Sequence, residues 1–432
     1  MVSLIVVAAI VAAIVLGYTT GINIGLFAIG FAYIIGCFVL GLSPSDVIGM
    51  WPLKLFFIIF AVCLFYGFAI VNGTLEKLAE HLIYRCRKVP QLLPYAVFFT
   101  ATLIAGLGAG YYTVLAFMAP ITLLLCARTQ MSLIVGAMAV NYGALAGANF
   151  VSSQSGIIFR SLMMNAGVDE NTAFINALGI FLATAVIPLV VITGFVFMGR
   201  GSAKAGAVYE AEIPSPLNRQ QKQTLILTML MMACVLLAPI SHLLLPENGT
   251  VTFINSKIDI GLIASVFAVI ALLLKLGDER KVMGAIPWPT IIMICGVGML
   301  ISVAIKAGTI GLLASWISTT IPAFLVPVAF GVVAALMSLF ASTLGVVTPA
   351  LFPIVPEIAA NLSIDPLIIF VCIVAGAQAT SISPFSSGGS LILGSCPTDE
   401  ARTTLFPKLL FRAAPLGFAA ALLFNFVLTF VY

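Results

Sequence analysis

Apolar residues run along this chain in long blocks, with short polar or charged interruptions between them. A bilayer core of about 30 Å takes roughly 20 helical residues. On that scale, spans are predicted at 2–17, 21–42, 51–72, 172–198, 223–245, 259–276, 287–305 and 404–431. The block 2–17 lacks the basic flank of a signal peptide and reads as a retained first span. Between 73 and 90, "TLEKLAEHLIYRCRK" places Leu75, Leu78 and Leu82 at helical spacing with charges between them. That pattern predicts a basic amphipathic helix lying on the membrane surface. A second amphipathic piece is predicted at 306–319.

Four blocks do not fit a single crossing. Segment 92–127 has basic residues near both ends, Lys88 and Arg128, and "GLGAGYY" in its middle. Two crossings need about 40 residues and a polar loop, so a re-entrant hairpin is expected. Segment 321–358, with "FASTLGVVTPALFP" at its turn, is expected to do the same. Segment 131–165 as one helix would be roughly 52 Å long, well beyond the bilayer core. Its centre is "GANFVSSQSG", Gly147 to Gly156, and a break there removes the excess length. "SISPFSSGGS", Ser381 to Ser390, sits in the same way inside 364–396.

These elements come in the same order twice. "SSQSGIIF" at 152–159 sits opposite "SSGGSLIL" at 386–393, and "FMAPI" opposite "LFPI" at nearly the same offset. Most of the 19 Lys and Arg residues fall on one side of the predicted spans. Only Lys54, Arg160, Lys257 and Lys306 fall on the other, so the majority side is cytoplasmic. Each half then makes five crossings, and the second half is inverted relative to the first. The expected fold is an all-α polytopic membrane protein built as an inverted repeat, each half carrying a re-entrant hairpin and a broken helix.

Composition agrees. The chain of 432 residues is 62% hydrophobic and 8% charged, with a net charge of +4. The longest polar stretch, Gly199 to Lys222, leaves no room for a soluble domain and is expected to be a cytoplasmic linker. Nucleic acid is not an expected partner. The eight cysteines, mostly inside spans and without metal-like spacing, read as small apolar packing residues.

Unwound backbone at membrane depth is tolerated only where it lines a cavity or binds something. Half-helices meeting at a break offer N-terminal amides to an anion and C-terminal carbonyls to a cation. Around the first break stand Asn149, Ser152, Ser153, Gln154 and Ser155; around the second, Ser381, Ser383, Ser386, Ser387 and Ser390. Glycines at 147, 156, 388 and 389 let a ligand approach the backbone. One such cluster alone reads as small-residue helix packing; two at matching positions, each preceded by a hairpin, favour ligand binding. At the hairpin turns, Tyr111 and Tyr112 either face the ligand or pack, and Thr113, Ser342 and Thr343 either line the site or cap the turn. Arg160 either helps hold an anion or snorkels to the outer interface. No carboxylate or histidine falls at a predicted midplane, which removes the usual groups of an intramembrane protease or a proton relay.

The paired hairpins "GLGAGYYTVLAFMAPI" and "FASTLGVVTPALFPI", with the paired breaks, resemble the ion transporter superfamily over nearly the whole chain. The likeness is to its divalent anion/sodium symporters and, in type, to malonate-carrier dicarboxylate transporters. That resemblance implies a multi-pass protein of a bacterial inner membrane and a homodimer working as an elevator. It implies a scaffold from 1–90 and 223–319, and a transport domain from 91–198 and 320–432. A small organic dianion, malonate or a C4 acid, would lie between Tyr111, Tyr112, Thr113, Asn149, Ser152, Ser153, Gln154, Ser155, Ser342, Thr343, Ser383, Ser386, Ser387 and Gly388. Sodium would sit near Gly108, Gly147, Ser342 and Ser381, with no other cofactor. The sequence departs from the family at the hairpin tips. Familiar members carry Ser-Asn-Thr there; this chain has Gly110-Tyr111-Tyr112 and Ser342-Thr343-Leu344. A passive channel or uniporter and a proton-coupled carrier remain the alternatives.

Overall fold

A computed structural model describes residues 2–86, 92–197, 214–245, 247–338 and 342–431. No strand occurs among the described residues. The first half of the chain opens with α1 (Val2–Thr20), α2 (Ile24–Tyr33, continued as a π-helical turn to Val39), the short α3 (Pro44–Gly49) and α4 (Leu53–Val71). The amphipathic α5 (Thr74–Cys86) follows, then α6 (Leu93–Ile104), α7 (Tyr111–Thr129), α8 (Leu133–Ala148), α9 (Gln154–Asn165) and α10 (Glu170–Phe197). The second half runs through α11 (Arg219–Leu244), α12 (Gly249–Lys257), α13 (Ile260–Leu273), α14 (Glu279–Gly284) and α15 (Trp288–Lys306). It continues with α16 (Thr309–Thr320), α17 (Val326–Ser338), α18 (Thr348–Leu351), α19 (Val355–Leu362), α20 (Pro366–Ala379), α21 (Ser387–Gly394), α22 (Asp399–Lys408) and α23 (Ala414–Val431).

Among the described residues, seven helices are long and apolar enough to cross a membrane, or up to nine when two bent pairs each count as one span. The bends are 67° between α12 and α13 and 117° between α16 and the helix Ala323–Ser338. Large apolar side chains such as Leu230, Leu262, Leu312 and Leu423 point outward. In a chain of this composition they are the lipid-facing surface. The amphipathic pattern of α5 is realised: Leu75 and Ala79 are buried, Glu76 is exposed, and Lys77 pairs with Glu80 at 2.6 Å. The expected linker at 199–222 falls largely outside the described residues, as does the end of the surface segment 73–90. Helix α12 was not legible as a separate element. Asn248 starts it by accepting from Thr250 and Val251 amides, and Asp259 starts α13 by accepting from the Leu262 amide.

The first expected hairpin bends within the described residues, whereas 339–341 of the second lie outside them. Between α6 and α7 the backbone turns at Gly108 (φ 98°) and Gly110 (φ 73°). A Cβ at Gly108 would sit 2.3 Å from the Tyr66 ring, so both conformation and space demand glycine there. The second turn joins α17 to a π-helical Thr343–Val347, with the Ser342 hydroxyl accepting from the Gly345 amide. The second arms, Tyr111–Thr129 and Thr343–Leu362, are each long enough by themselves to cross a bilayer. Both predicted breaks are present. Residues 149–153 separate α8 from α9, and 380–386 separate α20 from α21. Hairpin and broken helix pack together in each half: α6 and α7 against α8, and α17 against α20. Elsewhere α2 packs on α15 and α4 on α13.

Candidate functional site

A cavity of about 430 Å³ lies where the two hairpin tips meet the two breaks. The first hairpin brings Tyr111 and Tyr112 to it, the second Ser342, Thr343 and Leu344. The first broken helix brings Ser155, the second Ser381, Ser386, Ser387 and Gly388. Its opposite wall is the α1–α2 turn, with Ile22, Asn23 and Ile24, and the start of α15, with Pro289, Thr290 and Met293. Asn23 caps α2 and donates from Nδ2 to the Pro289 carbonyl at 2.7 Å, joining those two elements. No Asp, Glu, His, Lys or Arg lines the cavity among the described residues.

The break geometry gives this cavity its polarity. Ser386 caps α21: its hydroxyl accepts from the Gly389 amide at 3.1 Å while donating to the Ser381 and Ser383 carbonyls. Ser153 is the cap position of α9, in extended conformation and without a side-chain cap bond. Free amides at the starts of α9 and α21 therefore face the break region, where an anion is stabilised by the helix ends.

A buried polar chain ties the first half to the second break. Tyr111 Oη donates to Asn141 Oδ1 at 2.7 Å, and Asn141 Nδ2 donates to Ser381 Oγ at 3.0 Å. Tyr142 Oη donates to the Ala379 carbonyl at 2.8 Å. Asn149 and Gln378 exchange side-chain hydrogen bonds in both directions, and Asn149 Nδ2 also donates to Thr184 Oγ1 at 2.9 Å. Tyr112 is different. It is 41% exposed, and its hydroxyl faces Ser342 of the second tip and Ser387 of the second break.

The expected site residues thus separate into two groups. Tyr111, Tyr112, Ser155, Ser342, Thr343, Ser381, Ser386, Ser387 and Gly388 share the cavity. Thr113, Asn149, Ser152, Ser153, Gln154 and Ser383 do not line it. Asn149 is consumed by its amide pair. Ser153 is fully buried and donates to the Ala105 carbonyl at 2.6 Å, holding the back of the first hairpin. Gln154 lies against the hairpin tip, where its Oε1 is 2.4 Å from a Cβ built on Gly110. Ser383 is buried and its hydroxyl accepts from the Phe385 amide. Thr113 sits one residue past the tip on α7, half-buried.

The four residues expected near sodium do not form one group either. Gly147 is a packing glycine: a Cβ there would sit 2.0 Å from the Thr102 carbonyl of α6. Gly108 lies under Tyr66, while Ser342 and Ser381 line the cavity. Among the described residues, Ser152 is the one expected site residue with a buried side-chain oxygen left without a partner. It is fully buried, its hydroxyl has no partner, and its carbonyl accepts from Tyr66 at 3.2 Å. The described residues hold no cluster of His, Cys, Asp and Glu suited to a metal ion.

Arg160 does not line this cavity. It is turned away from the cavity, 11% exposed, with Nη2 3.6 Å from Glu170 and its guanidinium 5.2 Å from the Phe174 ring centre. Asn141 and Gln378 were not singled out from the sequence. The available signal was a lone amide inside "AVNYGALAGA" and inside "VAGAQA", where an unpaired polar group would be costly.

The dicarboxylate carrier protein MatC N-terminus model matches residues 1–148 and 240–381. The chain belongs to this dicarboxylate carrier family. Among solved structures, the Alcanivorax borkumensis YdaH transporter, described as having an unusual topology, is similar in fold. The TM-score is 0.63 at 18% identity, covering 93% of this chain and 90% of that one. No curated protein matches in sequence. Family and fold together make the protein a multi-pass membrane transporter.

Proposed function

We propose that the protein is a secondary active carrier of a small dicarboxylate, malonate or a C4 acid, and that the cavity between hairpin tips and breaks is its substrate site. The observation that carries this reading is the convergence of both tips and both breaks on one cavity lined by hydroxyls and amides. The family's description names a dicarboxylate carrier, which supports the substrate class.

A dianion in such a place needs compensating charge, because its desolvation is expensive. With no Lys or Arg on the walls among the described residues, the helix ends and a co-bound cation are the sources left. The orphaned Ser152 hydroxyl, and the absence of Asp, Glu and His from the walls among the described residues, favour sodium over a proton. Among described residues, neutral oxygens at the two breaks would hold that ion; the chemistry it supplies is charge compensation.

The family model matches two segments of nearly equal length, one in each half, which supports an inverted repeat. The matched packing of α6 with α8 and of α17 with α20 supports it too. Buried bonds across the halves, Asn149 with Gln378 and Asn141 with Ser381, favour hairpins and broken helices moving as one body. The opposite wall, on α1, α2 and α15, then belongs to a scaffold, as an elevator within a homodimer requires. By the charge rule the α1–α2 turn and the start of α15 lie on the cytoplasmic side. The cavity is accordingly read as inward-facing, in a bacterial inner membrane.

Uptake of labelled malonate by proteoliposomes, with and without an inward sodium gradient, tests this reading. Concentrative uptake that follows sodium is expected. Equilibration that ignores every ion gradient would make the protein a uniporter. Uptake undiminished by choline replacement but abolished by collapsing a pH gradient would make it proton-coupled.

A further inference from the structure

A second polar cavity, of about 180 Å³, lies away from the first, between α4, α9, α11 and the α12–α13 bend. It is lined by two cations, Lys54 and Arg160, and two anions, Glu170 and Asp259, with Asn165 and Asn255. By the charge rule this is the outer side of the membrane. Nothing in the transport reading uses it.

Its formal charge is balanced, but its hydrogen bonding is not. The Asp259 carboxylate already accepts from the Leu262 amide at 3.0 Å, and Glu170 is half-exposed and holds Arg160 only at 3.6 Å. Arg160 carries five donors, and its Nε is buried with no partner at all. Lys54 carries three donors and forms no ion pair among the described residues. The uncommitted donors on this wall are the buried Arg160 Nε and the ammonium of the exposed Lys54, beside two carboxylates that keep free lone pairs. A buried guanidinium N–H without a partner is costly, and more so because the group is charged. An oxyanion is the group that satisfies a guanidinium and an ammonium together.

We propose that this cavity is a second anion site, taking a small oxyanion between Arg160 and Lys54, separate from the substrate cavity. A carboxylate and inorganic phosphate both have the required chemistry, and both fit the volume.

Equilibrium dialysis of purified detergent-solubilised protein with labelled malonate, and separately with labelled orthophosphate, tests it. The measurement is made in the Ser387→Trp background, so that the substrate cavity is filled. Saturable binding of one probe is expected, weakened at least tenfold by Arg160→Gln and, independently, by Lys54→Gln. Arg160→Lys, which keeps the charge and loses the fork, should retain part of the affinity. Malonate binding identifies a carboxylate site and phosphate binding an inorganic-anion site. No saturable binding of either probe, or isotherms unchanged by both charge variants, would overturn the proposal. The readout is independent of uptake, so a failed carrier reading and a failed anion site are told apart.

Discussion

Asn149 and Gln378 lie 229 positions apart and pair their side-chain amides reciprocally, at 2.9 and 3.0 Å, inside the protein. Asn149 ends α8 at the first break, and Gln378 stands two residues before the second. Breaking the pair from one side leaves buried amide groups of the other residue without their partner, at about 1–3 kcal/mol. Asn149→Ala and Gln378→Ala are each expected to lower thermal stability by that order. Asn149→Leu with Gln378→Leu should cost less than the sum of the two single leucine variants, because both orphans leave together. Thermal unfolding in detergent measures this, and strictly additive losses would show that the two amides do not act as a pair.

The first hairpin rests on Gly108. Its φ of 98° is left-handed, and any Cβ meets the Tyr66 ring at 2.3 Å. Left-handed backbone alone costs a residue with a side chain about 1–2 kcal/mol. Gly108→Ala should lose at least that much stability and most uptake, while Gly108→Ala with Tyr66→Leu should recover stability in part. Wild-type stability and uptake in Gly108→Ala would remove the hairpin turn as a constraint.

Ser153 and Ser155 are two residues apart and have different work. Ser153 is buried and bonded to the hairpin backbone; Ser155 lines the cavity. Ser153→Ala is expected to lower the melting temperature, losing a bond worth about 0.5–1.5 kcal/mol. Ser155→Ala should leave stability unchanged and raise the KM for malonate severalfold. The opposite assignment of effects would contradict the placement of the first break.

The helix breaks were legible in the sequence because their signals are physical excesses. A segment too long for a single crossing, with "NFVSSQSG" inside, has few structural solutions. The sequence carried the individual contacts poorly. Ser152, Ser153 and Ser155 are the same residue type within four positions, and only the rotation of the α9 start decides which one meets the cavity. Asn141 and Gln378 hide in apolar helices because their partners are far away in the chain. Helix α12, nine residues between two stronger spans, is defined by capping at Asn248 and Asp259 rather than by periodicity. The opposite wall at Asn23 and Thr290 follows from packing between elements, which no local pattern reports.

The central claim is that the cavity at the hairpin tips and breaks holds the substrate, and Ser387 is the residue to probe. Its hydroxyl faces Tyr112, and no cysteine lines the cavity among the described residues. In a Ser387→Cys variant reconstituted into proteoliposomes, a thiol reagent should abolish malonate uptake, and saturating malonate should slow the modification at least tenfold. Modification at the same rate with and without malonate, leaving uptake intact, would contradict the account.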